Sequence, residues 1–167
     1  EFSRDAWSSK VKLGAIRVWL SVCLSFGVSA WADGEAVAIV VHSGTNVTEM
    51  TMDKLRRIFL ADQQFWPDRS RITLLVKAPG AFERKVVLDH IYRMDENRFR
   101  RYWIAKMFRS EVPSGPKIVF SSNMALELVT AIPGSITFIN AAEVTDDVKV
   151  LRIDGALPGD ENYPLRN

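Results

Sequence analysis

From residue 36 onward, two periods of apolar and polar positions alternate along the chain. Ala36-Val37-Ala38-Ile39-Val40-Val41 is an unbroken apolar run rich in β-branched residues. It predicts a strand buried on both faces, in a parallel or mixed sheet with helical cover. His42-Ser43-Gly44-Thr45-Asn46 ends the run with turn formers. Thr51 then stands as a helix N-cap, with Asp53 in the first turn where a negative charge suits the helix dipole. Met52, Leu55, Ile58 and Phe59 share one face of that helix, and Lys54, Arg56 and Arg57 point elsewhere. Ile72 to Val76 reads as a second strand, and Ala78-Pro79-Gly80 turns the chain into a helix from about Ala81 to Tyr92. A longer helix follows from Glu96 to Arg109, with Phe99, Trp103 and Met107 spaced by four as its core stripe. Two prolines and a glycine between Val112 and Pro116 make a loop. Lys117-Ile118-Val119-Phe120 is a short strand, and Ser121 or Ser122 caps the next helix, whose buried stripe is Ala125, Leu128, Val129 and Ile132. Ser135 to Ile139 and Val148 to Ile153 are the last two strands. Beyond Asp154 the periodicity stops, which predicts a loose C-terminal tail over 154–167.

Strands alternating with helices predict a single α/β domain over 33–153, a mixed sheet flanked by helices. The first 32 residues have a different character. Arg4, Lys10, Lys12 and Arg17 make a positive start, and Val18 to Val28 is almost wholly apolar or small. Ala30-Trp31-Ala32 places small residues where signal peptidase reads, so 1–32 is expected to be a signal peptide cleaved before Asp33 and the protein periplasmic. The uncharged run is short for a span of ~20 residues. Cys23, the one cysteine, lies within that run, so the remainder would carry no disulfide or thiolate chemistry. The leader holds four of the 22 basic and two of the 20 acidic residues, leaving 18 of each. Neutral balance gives no support to a nucleic-acid partner.

Two stretches carry a family likeness. Ile58-Phe59-Leu60-Ala61 is followed by Trp66-Pro67-Asp68, and about sixty residues later by Ile132-Pro133-Gly134-Ser135-Ile136-Thr137-Phe138-Ile139. In order and spacing these resemble the periplasmic phosphate-binding proteins, solute receptors of phosphate ABC transporters. That family shows a helix ending in I-F/Y-L-G, then a W-x-D turn, then T-P-G-S-I-G-Y-V. The resemblance covers roughly Ala36 to Ile153. It implies a fold like one lobe of a type II periplasmic binding protein, because such receptors have two lobes and are about twice as long. Ala36 to Val41 and Val148 to Ile153 occupy the hinge-like places.

The same resemblance points to a ligand loop. The family places R-S-D-G-S-G-T after the strand equivalent to Ile72–Val76, where hydroxyls, backbone N–H groups and charged side chains hold phosphate at a helix N-terminus. This chain has Lys77-Ala78-Pro79-Gly80-Ala81-Phe82-Glu83-Arg84 instead. Lys77 keeps the positive charge, and Gly80 and Ala81 keep backbone access. The hydroxyls and the aspartate are gone, and Glu83 adds a competing negative charge. Ser43 and Thr45 after the first strand, and Ser121 and Ser122 after the fourth, are the other candidates, since ligands of open α/β sheets sit outside the carboxyl ends of strands.

Other chemistry finds little support. His42 and His90 are the only histidines; His42 has no suitably placed acid, His90 lies in a helix interior between Asp89 and Ile91, both read as structural, and no metal site, cofactor or enzymatic activity is implied. No Walker loop or G-x-S-x-G elbow occurs. Arg84 to Arg109 holds eight basic residues interleaved with Tyr92, Phe99, Tyr102 and Trp103, read as amphipathic helices with an arginine-rich outer face suited to an acidic partner. The expected function is weak binding of phosphate or a similar small anion beside an ABC transporter permease, with a homodimer or partner supplying the missing wall. The alternative is an accessory or interaction module of the envelope that keeps the receptor fold without the solute.

Overall fold

The computed structural model describes residues 36–166, so the expected signal peptide lies outside the described residues. Five strands form one mixed sheet in the order β4-β3-β5-β1-β6, with helices packed around it. These strands are β1 (Val37–His42), β3 (Thr73–Lys77), β4 (Lys117–Val119), β5 (Ser135–Asn140) and β6 (Val148–Val150). β3 runs parallel to both β4 and β5, whereas β1 runs antiparallel to β5 and to β6. The apolar run of β1 is buried from Val37 to Val41, as its composition requires.

The expected last strand is divided. Leu151 leaves the edge of the large sheet, with its N–H donating to the Ile39 carbonyl, and β7 (Arg152–Ile153) pairs in parallel with β2 (Glu49–Met50). The two-residue strand β2 has too few positions to show a period.

α1 (Met52–Phe59) is capped by the Thr51 hydroxyl and buries Leu55, Ile58 and Phe59. Past its end, the turn at Trp66 meets the turn at Gly134. The Trp66 indole N–H donates to the Gly134 carbonyl at 2.9 Å, and the ring is buried. Gly134 has φ +75°, and a Cβ there would lie 2.5 Å from the Arg71 carbonyl oxygen, so only glycine fits this junction. Ser70 closes the Trp66 turn, and its hydroxyl and then its N–H hold the Asp68 carboxyl below the usual carboxylate range.

α2 (Phe82–Val87) continues into one π-helical turn, Leu88–Tyr92, which ends at Arg93 in the left-handed region. α3 (Glu96–Phe108) is capped by Asp95 and joins the body through an aromatic ladder. Phe59 meets Tyr92 edge-on, Tyr92 meets Phe99 at 4.9 Å, and Phe99 meets Trp103 at 6.2 Å. The predicted stripe stops short, because Met107 is exposed and Lys106 is buried in its place. The Lys106 ammonium pairs with Asp62 at 2.6 Å, so a polar anchor fills the position that hydrophobic spacing assigns to Met107.

α4 (Ser122–Ala131) starts at the Ser121 cap and buries Ala125 and Val129, with Leu128 and Ile132 half-buried. The region beyond Asp154 is not a loose tail. Leu165 and Tyr163 are buried, the Val37 N–H donates to the Leu165 carbonyl at 2.9 Å, and the Tyr163 hydroxyl donates to the Val37 carbonyl at 2.8 Å. Ala156 is buried as well and Arg166 bridges to Ala36, but these anchors fall at no regular spacing, so the sequence shows no period.

Candidate functional site

The edge of the sheet where β3, β4 and β5 end carries the loop from Lys77 to Glu83. β3 delivers Lys77 opposite Val119 of β4, and the Ala78 N–H donates to the Val119 carbonyl at 2.8 Å. That pairing brings the start of α4 against the start of α2. The Lys77 ammonium therefore contacts the Glu83 carboxylate at 3.0 Å and the Ser122 hydroxyl at 2.7 Å. Ser122 in turn donates to the Glu143 carboxylate. Lys77 is 6% exposed and Glu83 8%, so the pair is closed off from water.

Arg84 is committed as fully. It donates to the Lys77 carbonyl at 2.6 Å and grips both oxygens of Glu96 at 2.6 and 2.9 Å, with its guanidinium 4.6 Å from the centre of the Phe99 ring. The cluster thus holds two cations, Lys77 and Arg84, against three carboxylates, Glu83, Glu96 and Glu143. Its net charge is negative. Gly80 and Ala81 lie beside it, with Gly80 in the left-handed region at φ +94°. The hollow they line is also walled by Asp89, Asp95 and Glu96 against one cation, Lys85, which is itself paired with Asp89 at 3.1 Å, so its balance is acidic and disfavours an anion. Ala81 offers no side-chain cap to α2.

The structure brings Lys77, Gly80, Ala81, Ser121 and Ser122 to one edge, and Ser43 and Thr45 to the other. The sequence cannot show strand direction, and β1 runs opposite to β3, so the turn after β1 sits at the far end of the sheet. The two hydroxyl clusters do not form one site. Strands of this length separate their ends by ~17–20 Å. Ser121 serves as the cap of α4, accepting from the Met124 N–H at 3.1 Å. Ser43 is exposed, and Thr45 is buried with its carbonyl accepting from the Lys149 ammonium at 2.6 Å. Next to them the His42 Nδ1 accepts from the Gly44 N–H at 3.0 Å, which is a turn contact. Sequence reasoning identified Lys77, Ser122 and the opposing charge of Glu83, and missed Glu143 and Glu96, which approach only through the fold.

No protein-family model matches the chain, and no curated protein does. Solved structures match its fold. PstS from Borrelia burgdorferi superposes with a TM-score of 0.64 at 15% identity, over 80% of this chain and 55% of that one. A Clostridium perfringens structure described as a phosphate ABC transporter substrate-binding protein with bound phosphate gives 0.61 at 16%, covering 74% and 47%. An ABC-type phosphate transport receptor from Vibrio cholerae gives 0.60 at 18%, covering 74% and 48%. The chain spans about half the length of these receptors. The likeness establishes the fold: an α/β unit similar to one lobe of a periplasmic binding protein.

Proposed function

We propose that this chain is an exported, receptor-fold accessory module that works by contact with other proteins of the cell envelope and does not capture phosphate. One observation carries the reading: the Lys77–Glu83 pair is buried and sealed by Ser122 and Glu143, in the segment that the resemblance equates with a receptor's ligand loop. A phosphate arriving there would meet an ammonium already neutralised, with a second carboxylate behind it. It would have to displace Glu83 from a desolvated pair and shed its own water to take the place of that carboxylate, a desolvation that costs several kcal/mol per ion. A few wet hydrogen bonds from a single lobe do not repay that.

A second reading is favoured by the fold match to a receptor described with bound phosphate. In it, the chain binds phosphate or another small oxyanion weakly, beside an ABC transporter permease, with a second copy or a partner completing the wall. No helix among the described residues is long and apolar enough to cross a membrane, and export rests on the leader. The two readings separate in the cell. A strain lacking this protein should take up phosphate at the parental rate when phosphate is limiting. A loss of uptake restored by the wild-type gene, but not by a Lys77→Ala variant, would overturn the accessory reading in favour of the solute one.

A further inference from the structure

A cavity of about 230 Å³ opens at the other end of the sheet, where β3 and β4 begin. The loop over 112–116 walls one side, and the turn that carries Ala61 and Gln64 walls the other. Two cations line it, Arg71 and Lys117, and no carboxylate does. Among the described residues, neither cation has an ion-pair partner. Two other hollows are acidic on balance, one carrying Glu127 and Asp147 and the other Asp89, Asp95 and Glu96 against Lys85.

Backbone pairing fixes both cations. Lys117 stands opposite Leu75 in the β3–β4 register, and Arg71 is bridged to Phe65 and packed through its carbonyl against Gly134. Their placement is therefore as rigid as the sheet, although the side chains reach into solvent. Thr73 and Ser114 add hydroxyls to the lining, and Trp103 and Val112, both buried, supply an apolar floor.

We infer that this cavity binds a small organic acid, its carboxylate held between Arg71 and Lys117 and its compact apolar body against Trp103 and Val112. A guanidinium presents two parallel donors that match the two oxygens of a carboxylate, and a neighbouring ammonium adds a point charge. The volume falls below the ~300–1,000 Å³ usual for drug-sized ligands, which limits the body to a compact ring or short chain. An inorganic oxyanion would satisfy the cations and leave the apolar floor uncovered. A carboxylate with an apolar neighbour has two sources, a free acid or the C-terminus of a peptide. This site lies away from the Lys77 cluster and does not depend on how that cluster is read.

The test is a titration followed by the Trp103 indole N–H in ¹H–¹⁵N spectra, with benzoate, benzamide, inorganic phosphate and acetyl-Leu-Leu as probes. Benzoate should shift that signal saturably, with a dissociation constant on the order of 1 mM, as suits a small, half-open site. Neutral benzamide, and phosphate without an apolar body, should bind roughly tenfold more weakly or not at all. Combining Arg71→Gln with Lys117→Gln should weaken benzoate by a similar factor and leave the melting temperature unchanged, since both side chains are exposed. Arg57→Gln, which removes an exposed charge elsewhere, should bind as the parent does. Acetyl-Leu-Leu binding more tightly than benzoate would identify a chain terminus as the occupant, and weaker binding a free acid. The inference is overturned if no probe saturates, if benzamide or phosphate equals benzoate, or if the double variant binds undiminished.

Discussion

Replacing Trp66 probes the junction that joins the two most informative stretches of the sequence. The ring is 3% exposed, its N–H donates to the Gly134 carbonyl, and Gly134 packs directly on the Arg71 backbone. Trp66→Ala removes a buried indole and leaves a void, a change that costs ~3–5 kcal/mol in well-packed cores. Against a total stability of ~5–15 kcal/mol, that is a large fraction. Trp66→Phe keeps most of the ring and loses the hydrogen bond. The Gly134 carbonyl would not be orphaned, because the Thr73 N–H also donates to it, at 3.1 Å. The loss should then be near the net value of one hydrogen bond plus a small void, ~1–2 kcal/mol. Urea unfolding followed by far-ultraviolet circular dichroism measures both, and the slope m should stay unchanged if the unfolded state is unaffected. A cost below ~0.5 kcal/mol for Trp66→Ala, the range of exposed substitutions, would refute the packing argument. Equal costs for the two variants would show that the hydrogen bond, and not the ring, holds the junction.

Two further perturbations test other parts of the fold. Leu165→Ala should lower stability by ~2–5 kcal/mol in the same unfolding assay, because its side chain is fully buried beside β1, and an unchanged midpoint would return the C-terminal region to solvent. Glu83→Ala strands the buried Lys77 ammonium with a hydroxyl partner and should cost ~3–5 kcal/mol, whereas the double change Lys77→Met with Glu83→Leu should recover most of it. If the double variant is as unstable as the single one, the pair is not the seal described.

The parts of this fold that were legible in the sequence are those fixed by neighbours along the chain. β1 announced itself through an apolar run, α1 through the Thr51 cap and one apolar face, and the Trp66 and Gly134 turns through their residue types. Direction was not legible. A buried strand reads the same either way, so the antiparallel course of β1, and with it the separation of Ser43 and Thr45 from Lys77, had no signal. The charge of Glu83 against an anion was visible six residues from Lys77, but the seal was not. Ser122 lies 45 residues from Lys77, and Glu143 follows another 21 on. Lys106 defeated the stripe at α3 for a related reason: its partner Asp62 is remote in sequence, and spacing alone favours Met107.

Calorimetric titration of phosphate into the protein at low ionic strength tests most directly the proposal that the buried Lys77–Glu83 pair leaves no open anion site. An open loop in a single wet lobe would bind with a dissociation constant of ~0.1–1 mM, or ~4–5.5 kcal/mol. The closed cluster predicts no saturable heat through 10 mM phosphate, roughly ten times the upper end of that range. Saturable binding of the unmodified protein at or below ~1 mM, abolished by Lys77→Ala, would contradict the account.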